Sequence, residues 1–473
     1  MKLNLRKLLS SVLRWGIAII GIYLVIRNMS LTDHALVLNE TNHVVKGEVV
    51  AALSDGQYRV IIPKADGVDA AKKQTVEIVV PAADLLNPPD RKKVRINQHG
   101  TPADVFLLGM DLAGGQGTPT VRRLLVSDAK EGAGRWIAPG DVIGGFQRPV
   151  PHPKIDVGLK TMVMEADLWL LVLSLAVFPA TILLTSIRWQ RLLSALDIPL
   201  SLGRTLVLNA VGMFYNTCIP MGSTGGDVLK AYYAAAHTHY KTRAVMSVIV
   251  DRVIGLIGLI ILGGLTAGSY WLLAHDRNDP SVLACRYVAG MSLLIIGGTV
   301  AFLVIGFNPR LRAITGFEKI LSKLPMQKYV QGAIEVMAIY RQRPMLMLWA
   351  MMVTFPVHIT VIVSALLAGM AFGLPLTWGY YFIVVPVTVL VGAIPISPQG
   401  AGVMEYFAIL LTARQGATIS QAFALTMSIR TVQILWSLLG GVFVISGHYR
   451  APTNVPAADG EPAAAGTAEM PKA

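Results

Sequence analysis

Cysteine and charged residues are scarce in this sequence, and both shortages make some classes of protein function improbable for this chain. Two of the 473 residues are cysteines, and only 15% are Asp, Glu, Lys or Arg. Because Cys218 and Cys285 lie inside apolar runs, we expect neither a disulfide scaffold nor a cysteine metal site. The sequence also lacks the G-x-x-x-x-G-K-[ST] motif that binds nucleotide phosphates. We therefore expect no cofactor, and no process driven by ATP bound to this chain.

Apolar residues are abundant instead, at 53% of the chain with a mean hydropathy of +0.56. Most of the apolar runs are long enough to cross a hydrocarbon layer of about 30 Å. This pattern predicts an all-α polytopic membrane bundle with about eight spans. The runs are Leu8–Ile26, Leu168–Ile187, Thr205–Ile219, Ala244–Leu265, Val282–Phe307, Met345–Phe372, Trp378–Ile396 and Ile419–Ile445.

The distribution of positive charge predicts the orientation in the membrane. The net charge of +13 is concentrated in short loops, which indicates topology and contact with anionic lipid rather than with nucleic acid. No cleavage site follows the first apolar run, so we interpret residues 1–27 as a retained anchor with a cytoplasmic N-terminus. The cell inner membrane is the expected location, with residues 168–447 as the membrane domain. The Ala- and Pro-rich residues 448–473 are expected to form a disordered cytoplasmic tail.

Residues 28–167 differ in composition from the rest of the chain. The runs "GEVVAAL", "QYRVII", "TVEIVV", "KKVRINQ" and "TVRRLLV" are β-rich and are separated by turn-forming residues. They predict a small extracytoplasmic β domain inserted after the first span. Since this segment contains no catalytic or ligand-binding motif, we expect it to have a positioning role or to bind an envelope protein.

Two polar, glycine-containing bends interrupt apolar runs, and they resemble each other. "IPMGSTGGDVLKAYY" begins at Ile219 and "IPISPQGAGVMEYFA" begins at Ile394. When the chain is aligned with itself so that the bend prolines coincide, several residue types that are rare in membranes coincide as well, without a gap. The expected topology places the two bends on opposite faces, so we predict an inverted repeat with two broken or re-entrant spans. The coinciding pairs are Pro220 with Pro398, Gly222 with Gly400, Asp227 with Glu405, and Arg252 with Arg430.

The two arginines are the main candidates for chemistry. A charged side chain inside an apolar run costs roughly 2.5–3.5 kcal/mol on insertion scales, so each needs a partner. Asp227 and Glu405 recur with the arginines and are therefore the expected partners, whereas Asp251 points elsewhere on its helix. Two interpretations remain open and compatible: ion pairs that hold the two hairpins, or guanidinium groups that bind a lipid phosphate. In the second case the carboxylates are candidate proton carriers.

The bends themselves complete the predicted substrate site, because glycine lets the backbone turn sharply before a half-helix whose N-terminus favours an anion. Tight helix packing is the alternative role for these glycines. Arg188 is interpreted as an interfacial anchor beside Trp189, or as a group at the cavity entrance. We assign no metal site to His237 and His239, which have no third ligand. The predicted substrate-binding residues are Arg252, Arg430, Asp227, Glu405, Gly222, Gly225, Gly226, Gly400, Gly402, Pro220, Pro398 and Arg188.

Four segments carry a family resemblance: "RWQRLL", "FYNTCIPMGSTGGDVLKAYY", "AVMSVIVDRVIGL" and "PQGAGVMEYFAILLTARQGATISQAFALTMSIR". They are similar to the flippase-like transmembrane region of lysylphosphatidylglycerol synthases, and the similarity spans about residues 168–447. The resemblance implies movement of lipids or lipid-linked groups between leaflets. Some relatives also carry an aminoacyl transfer domain, which does not follow the last span here, so lysyl transfer is not expected. The inserted β domain is not typical of the family.

Three functions remain in contention. The favoured one is flippase-like translocation of an anionic lipid or lipid-linked group, which makes an enzymatic role the less expected one. An integral membrane enzyme that modifies lipid headgroups is the alternative, with Asp227 or Glu405 as general base. The third is a non-catalytic envelope scaffold, for which the β domain would be essential and the arginines dispensable.

Overall fold

The computed structural model describes most of the chain, but several predicted features fall outside the described part. The predicted anchor 1–27, apart from residue 23, and the predicted tail 448–473 lie outside the described residues, as do Pro220, Gly222 and Pro398. The described residues are 23, 30–53, 56–63, 75–88, 93–98, 101–113, 120–130, 132–143, 154–218, 225–236, 238–274, 277, 279–307, 327–394, 397 and 400–446.

The N-terminal region consists of two antiparallel sheets. One sheet has the strand order β4-β3-β2-β1-β9 and the other has the order β5-β6-β7-β8. Side chains alternate along the strands, so that Val105 and Leu107 of β6 are buried in the second sheet. The strands are β1 His34–Leu38, β2 Val44–Leu53, β3 Gln57–Pro63, β4 Thr75–Pro81, β5 Lys93–Gln98, β6 Thr101–Ala113, β7 Thr120–Ser127, β8 Arg135–Ile137 and β9 Ile155–Asp156.

The predicted β-rich runs coincide with β2, β3, β4, β5 and β7, which confirms an N-terminal antiparallel β region. The sequence did not predict β1, β6, β8 and β9. Strand β6 contains Pro102 and Gly109, which are typical of turns, yet it pairs along its length with β5 and β7. In the β5–β6 hairpin, Arg95 Nε donates to Asp104 Oδ1 at 2.7 Å, and this hydrogen bond lowers the pKa of the Asp104 carboxyl.

The rest of the described chain is helical. Five helical segments are long and apolar enough to cross a membrane: Leu168–Ser194, Lys241–Leu273, Ser281–Phe302, Pro344–Ala371 and Ile419–Ile445. The helices are α1 Leu159–Met164, α2 Leu168–Val177, α3 Pro179–Ser194, α4 Leu202–Cys218, α5 Gly225–Ala236, α6 Lys241–Leu273, α7 Pro280–Phe307, α8 Gln327–Arg341, α9 Pro344–Ala371, α10 Trp378–Ala393, α11 Val403–Thr412 and α12 Ile419–Ile445.

Two predicted runs do not form long spans. The run Thr205–Ile219 lies mostly in α4, which packs against α5, and the run Trp378–Ile396 lies mostly in α10, which packs against α11. Helices α5 and α11 have 12 and 10 residues. At 1.5 Å per residue they extend about 18 and 15 Å, which is about half of a hydrocarbon layer. Helices α4 and α10 are therefore each followed by a helix that is too short to cross the layer by itself.

Helices α4 and α10, which precede the two short helices, each pack against a long helix. Helix α12 packs along α4, where Gly440 of α12 lies against the backbone of Ala210. Helix α6 packs along α10, where Gly263 of α6 lies against Leu390. Small residues at such crossings let helix backbones approach closely, which is how helices in lipid gain packing energy.

The β region is joined to the helical region by hydrogen bonds at the start of α12. The carbonyl oxygen of Ser30 accepts from the backbone N–H of Leu159 at 3.0 Å and from Ser420 Oγ at 3.2 Å. Ser30 Oγ donates in turn to Asp156 Oδ2 in β9 at 3.1 Å. The sheet that contains β1 and β9 is thus anchored to the helix that carries Arg430.

Candidate functional site

The first predicted ion pair is present. Asp227 lies in the first turn of α5, where the positive end of the helix dipole favours a carboxylate. Its Oδ2 lies 3.2 Å from Nη1 of Arg252 on α6. The pair is not sealed, since 51% of the Arg252 side chain and 19% of the Asp227 side chain are exposed. The structure therefore pairs Arg252 with Asp227 and leaves about half of the Arg252 side chain exposed.

Glycine allows α5 to lie directly against α4. The backbone N–H of Gly226 donates to Asn216 Oδ1 at 2.8 Å. A Cβ atom at Gly226 would overlap the carbonyl oxygen of Gly212 on α4. Gly225 is the first residue of α5. These contacts favour the tight-packing role for Gly226, and they place Asp227 next to the crossing of the two helices.

Replacing Gly226 by alanine is expected to lower the free energy of unfolding by about 1–3 kcal/mol, because the new methyl group must push α4 and α5 apart. Gly203 near the start of α4 is the matched control, since a Cβ there would meet nothing within 4 Å. Thermal unfolding of both variants in detergent measures the difference. Equal stability of the two variants would contradict the packing role.

The second predicted ion pair is also present but is enclosed. Nη2 of Arg430 on α12 lies 2.9 Å from Oε1 of Glu405 in the first turn of α11, and the exposed fractions of the two side chains are 13% and 0%. The other carboxylate oxygen, Oε2, accepts from the backbone N–H of Gly402 at 2.6 Å. Glu405 thus caps α11 and binds Arg430 at the same time.

The bend before α11 depends on glycine. Gly400 and Gly402 have φ angles of +68° and +82°, which side chains with a Cβ rarely adopt. A Cβ at Gly400 would in addition contact the backbone of Gly392 on α10. The sequence allowed two roles for the glycines, a sharp turn or close helix packing. At this bend Gly400 has both roles, because its φ angle is positive and it lies against Gly392.

Arg188 is placed differently from the interfacial anchor that the sequence suggested. Both Arg188 and Trp189 are buried. Nε of Arg188 donates to Asp251 Oδ1 at 2.8 Å, and Nη1 donates to Thr354 Oγ1 at 2.7 Å. The anchor interpretation failed because it treated the end of an apolar run as the membrane surface, whereas α6 and α9 cover this position. Asp251 lies inside the apolar run Ala244–Leu265, where a carboxylate needs a cationic partner. This residue could have indicated that a second cation besides Arg252 is buried here.

Lys230 is a charged residue of this region that the sequence did not indicate as part of the site. It follows Asp227 by one helical turn on α5 and is buried. Its Nζ lies 4.4 Å from the ring centroid of Trp189. Asp227, Asp251, Arg188 and Arg252 all lie within electrostatic range of its ammonium group. These five charged residues form one group, which we call the cationic cluster.

The cationic cluster carries more positive than negative charge. Arg188, Lys230 and Arg252 outnumber Asp227 and Asp251 by three to two, while Arg430 and Glu405 balance each other. His358 lies beside the cluster, with Nε2 3.1 Å from the carbonyl oxygen of Gly255. Among the described residues, no group of three or more His, Cys, Asp or Glu side chains could hold a metal ion. The described cluster therefore carries an excess of one positive charge.

Comparison with known proteins places the helical region in a family. Residues 157–441 match the family described as the lysylphosphatidylglycerol synthase TM region, and because this match covers more than half of the sequence, the chain belongs to that family. The UPF0104 membrane protein PH1989 of Pyrococcus horikoshii is 23% identical over 306 residues, which cover 61% of this chain and 90% of that protein. The chain is a multi-pass membrane protein with a matched region that contains the cationic cluster and both ion pairs.

Proposed function

We propose that this member of the lysylphosphatidylglycerol synthase transmembrane family moves an anionic lipid, or an anionic lipid-linked group, between membrane leaflets without ATP bound to this chain. The observation that carries the proposal is the cationic cluster, in which the Arg252 side chain is paired with Asp227 and yet half exposed. The proposed setting is the cell inner membrane, with both termini in the cytoplasm and the β region outside, where it is available to an envelope partner.

Arg252 is the residue that meets the headgroup. It belongs to α6, one of the candidate membrane spans, and half of its side chain is exposed. A guanidinium that faces lipid chains is costly, so charged groups in spans face a bundle interior or a water-filled cavity. The planar guanidinium matches the oxygens of a phosphate group. We infer that the exposed part of Arg252 lines the path of a phosphate.

Asp227 then acts as the competitor of the headgroup. In the absence of lipid it neutralises Arg252 and also stabilises the N-terminus of α5. A phosphate that binds Arg252 displaces this carboxylate, which becomes easier to protonate once it has lost its cation. Release of the lipid restores the ion pair. Asp227 is therefore the proposed proton carrier of this half, and Glu405 is the equivalent carboxylate in the second half.

An internal repeat supports transport by alternating access. The starts of α5 and α11 are separated by the same offset as the starts of α6 and α12, and this is also the offset that aligns the two bends in the sequence. At this offset, the packing of α4 on α12 corresponds to the packing of α10 on α6. The first candidate span, Leu168–Ser194, aligns with the fourth, Pro344–Ala371. Spans that alternate in direction would then make the repeat inverted, as in many secondary transporters with a midplane substrate site.

A reconstitution experiment tests the proposal. Purified protein in vesicles is expected to speed the loss of a fluorescently labelled phosphatidylglycerol from the inner to the outer leaflet, with no ATP present. Vesicles without protein provide the baseline, and labelled phosphatidylcholine tests the preference for an anionic headgroup. Dithionite reduction of the label in the outer leaflet measures translocation.

The same preparation distinguishes transport from lipid modification. A transporter is expected to leave the lipids chemically unchanged in detergent, where no leaflets exist. Mass spectrometry of lipids after incubation with the purified protein checks this expectation. A new lipid product together with unaccelerated translocation would reject the flippase proposal in favour of an enzyme.

A further inference from the structure

Lys230 occupies a slot that holds its side chain in one place. The residue is 8% exposed. Its Cγ and Cδ atoms occupy the space beside Gly212 on α4, where a Cβ would lie 2.8 Å from both atoms. Its Nζ lies over the ring of Trp189 on α3. The ammonium group of Lys230 is therefore positioned by three helices, α3, α4 and α5.

The charge of Lys230 is not matched by a carboxylate of its own. Asp227 is paired with Arg252, and Asp251 is paired with Arg188. No ion pair or hydrogen bond to Lys230 Nζ occurs in the part of the chain that the structure describes, where Nζ contacts the Trp189 ring. The bend residues 219–224, which are not described, contain no acidic residue. An ammonium group held in such a slot needs hydrogen-bond acceptors, and an anionic group from outside the protein can supply them.

We propose that Lys230 is the residue that determines headgroup specificity, by binding a phosphodiester oxygen of a singly charged anionic lipid beside Arg252. This inference rests on the proposed function, since it identifies the substrate class at the same site. The excess of one positive charge in the cationic cluster equals the single negative charge of a phosphodiester lipid such as phosphatidylglycerol. As long as Asp227 remains ionised, binding of such a headgroup leaves the cluster neutral, which is the least costly state at low dielectric.

Other headgroups fit this charge balance less well. Phosphatidylcholine adds a quaternary ammonium group, so its binding leaves one positive charge unbalanced and places a further cation among three. A phosphomonoester carries up to two negative charges and leaves a negative excess. Asp227 and Lys230 are three residues apart and therefore lie on one face of α5. Arg252 forms its ion pair with Asp227 on that face. A phosphate that displaces Asp227 from Arg252 therefore arrives next to Lys230.

A binding experiment on the full-length protein in detergent tests the assignment without requiring transport. The probe is the short-chain lipid dihexanoyl phosphatidylglycerol, and the readout is the shift in thermal unfolding temperature against lipid concentration. Wild-type protein is expected to be stabilised by this lipid and less by dihexanoyl phosphatidylcholine. Lys230→Met and Lys230→Gln are expected to weaken the apparent affinity for phosphatidylglycerol by about tenfold or more, as loss of a charge-assisted hydrogen bond does. Lys230→Arg is expected to retain most of the affinity.

Lys241→Met is the matched control, because Lys241 is an exposed lysine at the start of α6. It is expected to bind phosphatidylglycerol as the wild type does. The proposal is overturned if either neutral Lys230 variant keeps the wild-type affinity, or if phosphatidylcholine stabilises the wild type equally. Equal binding of inorganic phosphate or glycerophosphoglycerol would overturn the lipid assignment. A protein that binds phosphatidylglycerol through Lys230 but does not translocate it would contradict the proposed function alone.

Discussion

Replacing Arg252 by glutamine is expected to reduce translocation of phosphatidylglycerol by about ten- to a hundredfold while the protein stays folded. Hydrogen bonds to charged groups contribute about 1.5–3 kcal/mol, and each 1.4 kcal/mol corresponds to a factor of ten. Glutamine retains a hydrogen-bonding amide but loses the charge and the planar fork that match a phosphate. The measurement is the dithionite assay on reconstituted vesicles.

The stability of the Arg252 variant is expected to change by no more than about 1 kcal/mol. The Arg252 side chain is half exposed, and ion pairs of exposed groups contribute little to the free energy of unfolding. Arg243→Gln provides the control, since Arg243 lies on the same helix but binds Glu335 outside the cationic cluster. It is expected to translocate lipid at the wild-type rate. Unchanged translocation by a folded Arg252→Gln protein would refute the assignment of this residue.

Replacing Arg430 by glutamine is expected to have its main effect on stability, lowering the free energy of unfolding by about 3–5 kcal/mol. The change leaves the carboxylate of Glu405 fully buried without its cation. Removing one partner of a buried ion pair is costly because the remaining charge has been taken out of water. Unfolding of the purified variant in detergent, followed against denaturant or temperature, measures the loss.

A double variant separates the unpaired charge from other effects of the substitution. Arg430→Met combined with Glu405→Gln removes both charges and keeps an amide oxygen that can accept from the N–H of Gly402. This protein is expected to recover most of the lost stability. Arg286→Gln, at an exposed arginine on α7, is expected to stay within about 0.5 kcal/mol of the wild type. If the single Arg430 variant is as stable as that control, the ion pair has no structural role.

These two predictions differ although the sequence treats the two arginines alike. Arg252 and Arg430 coincide when the two bends are aligned, and each pairs with the carboxylate at the start of the preceding short helix. The pairing was predictable because a charge in an apolar run needs a partner and only one carboxylate recurred with each arginine. The difference in exposure was not predictable, because it depends on which helices cover each pair.

Arg188 and Lys230 illustrate the limit of the sequence most clearly. Arg188 directly follows the apolar run Leu168–Ile187, and Lys230 lies between two apolar runs. At such positions a cation is ordinarily read as an interfacial anchor or a cytoplasmic loop residue. In the folded chain both are buried, and they lie with Asp227, Asp251 and Arg252 in one cluster. Arg188 and Asp251, which are far apart in the chain, meet there. The local sequence around Arg188 and Lys230 does not indicate that these two residues lie in one cluster.

The sequence by itself determined the features that depend on local chemistry. These are the long apolar helices that require a bilayer, the β-rich runs of the N-terminal region, and the two carboxylate–arginine pairs that neutralise each other's charge. These follow from hydropathy, periodicity and the cost of an unpaired charge, which each segment carries alone. Only the tertiary structure decided which pair is open and which is enclosed, and that Arg188 and Lys230 join the open one. Burial and net charge are properties of the packed helices together, since solvent exclusion around a side chain is produced by neighbours distant in the chain.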